Sequence, residues 1–493
     1  MPEIQFIGQS YVDQPLSAQD TVNFIPDIVG DPGVKAKYSL RRTPGLVSFS
    51  SPTTAGQGRG MHAPAIYRAS TGAISRMYYI AGNTLYSASS NGTTTSIGAL
   101  STSAGQCYFA DNGLNSGGAT RILMITDGQF AYYVDMVANN AVTKITDTDF
   151  TDVIDQPERV MFNDGYFLAI DKNSQNMQMS PQYWNGTDSW DATAVAVIQA
   201  SPDNLVASVI LQDMVWLFGT DSYEIYIDTG ATVPYEAMPG AANTVGTIAP
   251  DSVATNGKNV FWVGSNAQGQ NKILMNEGYN YRPISTAPIE EDITTYTAVN
   301  NAVGYCYTYR GHDTYQLTFP SGNKTWCYDI SSGQWYRKTF LNNGNEDRHR
   351  TIRGEAFVEK VMVQDWEDGI VYYYDDATFT DNGSNIRRVR VSPSMPNDNK
   401  RYFYPRFELV CQTGVGLATG TTDPQVMLRV SNDGGRTFGK ELKQDLGASG
   451  RYKDRVIWNR LGESRNRVWK VVITDPVDCT LMSAQADGIH GGH

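Results

Sequence analysis

The feature that most constrains this chain is a recurring phrase: an apolar run, a tight turn, another apolar run. Its clearest copy is Arg76–Gly98, RMYYIAGNTLYSASSNGTTTSIG. Met77–Ile80 is apolar, Gly82-Asn83 turns, Thr84-Leu85-Tyr86 opens a return strand, Asn91-Gly92 turns again, and Thr94–Ile97 closes a third strand. Asn-Gly is a strong hairpin signal, because a type I′ turn needs positive φ at both central residues. The phrase returns in Arg121–Val134 around Asp127-Gly128, in Val160–Ile170 around Asp164-Gly165, and in Val209–Ile227 near Gly219–Ser222. It returns again in Val260–Met275, in Tyr315–Tyr328 around Gly322-Asn323, and in Lys360–Tyr374 around Asp368-Gly369. The spacing averages about 47 residues, the range of a β-propeller blade. One such hairpin cannot bury its apolar faces alone; blades packed around an axis can. The irregular spacing is compatible with six to eight blades, and seven phrases favour seven. The fold class read here is all-β: a β-propeller followed by a C-terminal β-sandwich.

Composition fits that reading. The chain has 493 residues, 29 Tyr and 46 Gly, too long for one small core and rich in turn formers. The one short helix candidate is Ile289–Tyr296, IEEDITTY. No apolar run reaches the roughly 18 residues of a membrane-crossing helix. The first residues, MPEIQFIGQS, lack the basic region and apolar core of a secretory signal. Five cysteines, Cys107, Cys306, Cys327, Cys411 and Cys479, include no C-x-x-C pair. An odd count argues against a complete disulfide framework and for buried thiols made in a reducing cytoplasm, although Cys306 and Cys327 could face each other across one blade.

Three regions are expected. Residues 1–56 carry no repeat and read as an extended arm, running over the body, docking on a neighbour, or closing the propeller. Residues 57–396 hold the blades. They are interrupted by the polar segment Asn173–Thr193, with Trp184 and Trp190, and by the charged loop Leu341–Gly354. Beyond Ser392-Pro393 and Met395-Pro396, residues 397–493 contain short alternating strands such as RFELVCQ, QVMLRV and VWKVVI, a small sandwich. Charge divides along the same line. From Arg387 to His493 there are 17 Lys and Arg against 11 Asp and Glu, a balance of +6, so the remainder carries −18 of the chain's −12. Either the two ends meet different partners, one subunit's tail meeting a neighbour's propeller, or the surface is unevenly charged and solvated.

Ser431-Asn432-Asp433-Gly434-Gly435-Arg436-Thr437-Phe438 fits the Asp-box pattern. There the Asp accepts turn amides, Gly supplies an unusual φ and the aromatic packs beneath, so Ser431, Asp433, Gly435, Thr437 and Phe438 are read as a structural turn. The basic run through Arg451, Arg455, Arg460, Arg465 and Arg467 is the strongest electrostatic feature. It suits acidic protein, a salt-bridged surface, or nucleic-acid phosphates. Catalytic patterns are weak. His62, His312, His349, His490 and His493 fall in no metalloprotease or nucleophile-elbow motif. Glu290-Glu291-Asp292 is a solvated carboxylate run, and Asp147, Asp149, Asp152 and Asp155 lack the EF-hand spacing. No cofactor and no enzymatic activity are expected.

Phrases spread over nearly the whole chain resemble the packaged-DNA stabilisation proteins, the tail hub or tail accessory factors of short-tailed bacteriophages. They are Leu40-Arg41-Arg42-Thr43-Pro44-Gly45; Met179-Ser180-Pro181-Gln182-Tyr183; Ala200-Ser201-Pro202-Asp203; Phe218–Tyr226 with Asp228-Thr229-Gly230; Ser431–Gly439; Arg455–Gly462 with Arg465 and Arg467; and Ile473-Thr474-Asp475-Pro476. The N-terminal residues and loop lengths depart from that pattern. The resemblance implies a virion protein at the portal vertex, assembled in the host cytoplasm. It implies a homohexameric ring below the portal and head-tail adaptor that extends the DNA channel and stabilises packaged DNA. It also implies attachment surfaces for tailspikes or fibres and for the needle or plug, and non-specific contact with packaged DNA. Arg451, Arg455, Arg460, Arg465 and Arg467 are the candidate assembly contacts. The rival readings are a carbohydrate-binding or sialidase-like propeller in receptor recognition, with a ligand near Trp184 and Trp190, and a generic host interaction scaffold.

Overall fold

Each recurring phrase becomes part of a four-stranded antiparallel sheet. The structure is a computed structural model that describes residues 3–4, 6–13, 17–28, 38–64, 76–113, 121–138, 141–198, 203–265, 271–396, 400–417 and 423–490. Among these residues, seven blades succeed one another. Their first strands are Gly58–His62, Tyr108–Asp111, Pro157–Asn163, Leu205–Leu211, Ala254–Thr255, Val303–Tyr309 and Thr351–Phe357. Each first strand packs against the first strands of the blades before and after it, and the seventh packs against the first, so the ring is closed.

The blades adhere through apolar faces. Seven apolar clusters fill the seven spaces between adjacent blades. Between blades four and five, fully buried Trp216 and Trp262 pack with Phe218 and Tyr223 at ring separations of 5.3–5.6 Å. Burying one such side chain stabilises by about 2–3 kcal/mol, so each interface is strong without any covalent tie.

The turns follow the local chemistry in part: at Asp127-Gly128 and Asp368-Gly369 the glycine alone takes positive φ. Asp164 and Gly165 both take positive φ, +48° and +91°, as a type I′ turn requires. At Asn91-Gly92 only Gly92 does, at +85°. Asn91 instead accepts the Thr93 amide at 3.2 Å through its side chain, giving a longer turn. Gly60 answers a different need. A Cβ there would lie 2.4 Å from the Cys107 carbonyl oxygen, so the first two blades approach through a glycine.

The described residues of the segment 1–56 are extended chain woven into the body. Strand Gly45–Ser50 pairs with Val371–Asp375 and completes blade seven, Gly45 opposite Asp375 and Leu46 opposite Tyr374. Strand Ser17–Val22 lies between blade six and strand Arg388–Val391, with Val22 beside Arg337 and Thr21 opposite Arg390. Strands Phe24–Ile28 and Tyr38–Arg42 form a hairpin that joins Thr480–His490. The charged stretch Leu341–Gly354, expected as a loop, is mostly strand. Gln334–Asn342 and Asn345–Arg348 form a hairpin, and Thr351–Phe357 opens blade seven. The short helix runs Ala287–Thr294.

The sandwich has two sheets. One is Phe24–Ile28, Tyr38–Arg42, Thr480–His490, Tyr402–Cys411 and Val456–Asn459. The other runs Ser17–Val22, Arg388–Val391, Asn466–Ile473, Gln425–Ser431 and Leu442–Asp445, and is continuous with blade six. Phe407, Trp458 and Trp469 centre the core between them, Phe407 stacked on Trp469 at 4.5 Å. Strand Arg388–Val391, placed before the 396/397 boundary by the sequence, therefore belongs with the sandwich sheet. The prolines that suggested the boundary lie after this strand.

The seam between propeller and sandwich is polar and buried. Asn23, 1% exposed, takes positive φ (+55°). Its side chain donates to the Thr339 carbonyl and hydroxyl at 3.2 and 3.0 Å and to the Arg387 carbonyl at 2.8 Å, and accepts the Thr339 amide at 2.9 Å. Arg390, fully buried, donates to Thr21 Oγ1 at 2.7 Å and to the carbonyls of Gln9, Asp20 and Phe6. Asp20 pairs with Arg337 of blade six.

Candidate assembly surfaces

The basic run separates into three kinds of residue. Arg467 is 0% exposed. Its guanidinium lies 4.7 Å from the Tyr404 ring and 5.2 Å from the Trp469 ring, and donates to the Leu461 carbonyl at 3.0 Å. Burial lowers its pKa to about 10. This residue, expected at an assembly contact, is buried within the sandwich as an interior prop. Arg451 and Arg455 are exposed but engaged within the chain. Arg451 pairs with Asp454 at 3.1 Å. Arg455 grips Glu408 through two bonds of 2.7 and 2.6 Å. Glu408 also receives Arg406, and these partners hold its carboxyl below the usual range, the Arg455 hydrogen bonds most of all. Arg460 and Arg465 are exposed, and among the described residues no ion pair engages them. They flank strand Glu463–Ser464, whose residues pair with Phe403 and Tyr402.

The Asp-box is a turn between strands Gln425–Ser431 and Leu442–Asp445. Asp433 accepts the Thr437 amide at 2.9 and 3.0 Å and the Thr437 hydroxyl at 2.6 Å, while Ser431 Oγ accepts the Gly435 amide at 2.8 Å. Gly434 and Gly435 take φ of +75° and +95°. Hydrogen bonds from Ser431 and Thr437 push the Asp433 carboxyl far below its usual range. Phe438 packs against the Val468 cluster. Every acceptor is used locally, which is what a structural turn does.

Trp184 and Trp190 are each 2% exposed. They meet edge to face at 5.6 Å, among Phe150, Phe167 and Tyr133. Trp184 Nε1 donates to the Asp188 carbonyl at 2.8 Å. Their rings are core, so no open aromatic platform faces a sugar there. Asp147 caps the helix Thr148–Thr151 and accepts the Trp190 amide at 2.9 Å. Among the described residues no group of three or more His, Cys, Asp or Glu is placed to hold a metal ion. All five cysteines are free; four are buried and Cys306 is partly so.

One constellation escaped the sequence: the propeller axis. Tyr108 of blade two accepts hydrogen bonds from Arg159 of blade three at 2.9 Å and Arg353 of blade seven at 3.2 Å, and donates to Asp251 before blade five. Arg159 also reaches the Ser208 carbonyl at 3.0 Å, and Arg353 the Gly304 carbonyl at 3.1 Å. Nearby, His62 of blade one bonds Asp111 of blade two at 2.6 Å, with the Glu355 carboxyl close by. Burial raises the Glu355 pKa. Charges from four blades and from Asp251 thus meet at the centre of the ring. The residues lie far apart in sequence, and no local motif announces them.

The family models agree with this architecture. A family model for the bacteriophage P22 Gp10 β-propeller matches residues 18–379, and one for the P22 Gp10 β-sandwich matches residues 387–488. The tail hub protein gp10 of Salmonella phage P22 is 24% identical over 327 residues, covering 61% of this chain and 66% of that protein, just under two thirds of its length. Among solved structures, the computationally designed Ika8 protein overlaps 75% of this chain and 100% of its own at 9% identity and a TM-score of 0.36. The N-terminal domain of Nup159 overlaps 67% of this chain and 95% of its own at 7% identity and a TM-score of 0.39. The family models carry the assignment, since they span both domains and most of the chain: it belongs to the bacteriophage P22 Gp10 tail hub family, structural proteins of the phage tail.

Proposed function

We propose that this chain is the repeating subunit of a homohexameric hub ring, seated below the portal and its adaptor at the portal vertex of the virion. The ring extends the DNA channel, retains packaged DNA, and presents outer surfaces to tailspikes or fibres and its lower end to a needle or plug. It assembles in the host cytoplasm and performs no catalysis. The observation that carries this reading is the filled propeller axis. Tyr108, Arg159, Asp251 and Arg353 bond across it, so no nucleic acid threads a single subunit. A channel built from this chain must lie between copies. A ring closes when one face of each copy complements a different face of the next, and the division of charge between propeller and sandwich supplies two unlike faces. Contact with DNA is then non-specific, through exposed lysines and arginines reaching phosphates.

Quantitative mass spectrometry of intact virions and of tailless heads tests the reading. A six-fold ring on a twelve-fold portal requires about half the portal's copy number, with loss from tailless heads. Absence from virions would overturn it. A copy number far below half would move the protein to a central plug, and one far above to a fibre.

A further inference from the structure

The sandwich carries an apolar patch that the described residues leave open. Phe403 is 49% exposed and Ile489 60%. They are direct cross-strand partners, so their side chains stand together on one face of the sheet. Such pairs normally face a core; this one faces outward, on the side of the sheet away from Phe407 and Trp469. On its other flank Phe403 pairs with Glu463, which is bound by Arg401 at 3.0 Å. Arg460 is tied to the same edge through its amide, 2.8 Å from the Pro405 carbonyl. Arg465 follows Ser464, the partner of Tyr402. The result is an apolar pair bordered by the Arg401–Glu463 ion pair and by the exposed Arg460 and Arg465, the apolar centre and polar rim of a protein-docking face.

The charge of the rest of the chain says what fits it. Residues 57–386 carry 18 Lys and Arg against 35 Asp and Glu. On blades three and four these acids are poorly compensated: burial and then the neighbouring Asp228 and Asp213 raise the pKa of Asp164. We propose that Phe403 and Ile489, rimmed by Arg401, Arg460 and Arg465, are the face by which the sandwich of one copy docks on the acidic propeller of a second copy. The apolar pair supplies burial, and the arginines supply steering and register. This inference rests on the ring reading above and names the surface that makes the ring.

Sedimentation velocity of the full chain tests it, with the wild type, Phe403→Ser/Ile489→Ser, Arg460→Glu/Arg465→Glu, and a control of equal charge change, Arg436→Glu/Lys440→Glu, on the Asp-box turn. Thermal melts followed by circular dichroism confirm that each variant is folded. The expected result is assembly of wild type and control, with self-association of the other two weakened about tenfold or more. Assembly of the wild type should also weaken with added salt. Equal assembly of all four proteins would overturn this inference and leave the ring intact. A wild type that stays monomeric at every concentration would overturn the ring reading and this inference with it. The occupant is read separately by cross-linking a mixture of isotopically heavy and light protein. Links from Lys400 to propeller lysines of the other copy, such as Lys172 or Lys258, are expected. Links only between two sandwiches would overturn the assignment of the propeller as occupant.

Discussion

The propeller and the sandwich are assembled differently. The propeller is built mainly from neighbours in sequence: six blades are local meanders, the seventh is completed by Gly45–Ser50, each interface is an apolar cluster, and charged side chains of several blades meet at the axis. The sandwich is assembled from both ends of the chain. Strands from residues 17–42 lie beside strands from residues 388–490, and the buried Arg388 and Arg390 reach main-chain carbonyls of segments distant in sequence. A repeat can close on itself through hydrophobic contact alone. A domain made from distant segments relies here on directional bonds to hold those segments in register, and a buried arginine with several donors does that.

Deleting residues 1–28 tests this contrast most severely. It removes strands from both sandwich sheets but spares Gly45–Ser50, the closing strand of blade seven. The expected outcome is loss of the sandwich while the propeller still unfolds cooperatively, read as one remaining transition in calorimetry and as sandwich-selective hydrogen exchange. A native-like melt of the truncated chain would show that the N-terminal strands are accessory. Next in size is Asn23→Ala. It strips four hydrogen bonds from a buried seam and places a poorer residue at positive φ. A loss of about 2–4 kcal/mol is expected from urea unfolding; a loss below measurement would contradict the seam's role.

At the axis, Arg353→Met leaves Tyr108 and the Gly304 carbonyl each short of a partner. The expected loss is about 1–3 kcal/mol. The loss should appear in the propeller transition and leave the sandwich unchanged. The smallest effect concerns pH. Burial pulls the pKa of His62 down, but its bond to Asp111 and the fields of Glu355 and Asp111 prevail and raise it above 6.5. Protonated His62 therefore favours the folded state. That contribution is complete below pH 6.5 and is lost as pH rises through the raised value. Asp111 works in the opposite direction: burial opposes its charge, the bond and charge of His62, the Gly113 amide and Arg121 together outweigh burial, and its lowered pKa makes its contribution fade as pH falls. Urea midpoints between about pH 6 and about pH 9 should decline in the wild type and decline less in His62→Gln. Identical slopes would remove His62 from the account.

The same contrast explains what was legible in the sequence. All seven hairpin phrases lie in blades, because apolar alternation and turn residues act over a few positions. They are not in phase: Val160–Ile170 spans the first two strands of its blade, whereas Arg121–Val134 spans the middle two. The closing strand Gly45–Ser50 has no such signature, since its partner is more than three hundred residues away. Arg467 looked like part of a basic surface, yet alternation places it with Trp469, Val471 and Ile473 on the core face; that parity was the available signal. The axial charges carried none, and only the strand pairing brings out their equivalence. The first strands of blades one, three, four and seven each hold an irregularity just before Gly60, Arg159, Ala207 and Arg353. Aligning blades by that irregularity would equate Arg159 with Arg353 and point both toward the axis.

The central claim is that the channel lies between copies and not through any one of them. A cryo-EM reconstruction of the portal vertex in DNA-filled virions tests it most directly. The account predicts several copies of this chain around a lumen that continues from the portal, each propeller axis closed by side-chain density at Tyr108, Arg159, Asp251 and Arg353. DNA density running through a propeller axis, or a single copy seated on the channel axis, would contradict it.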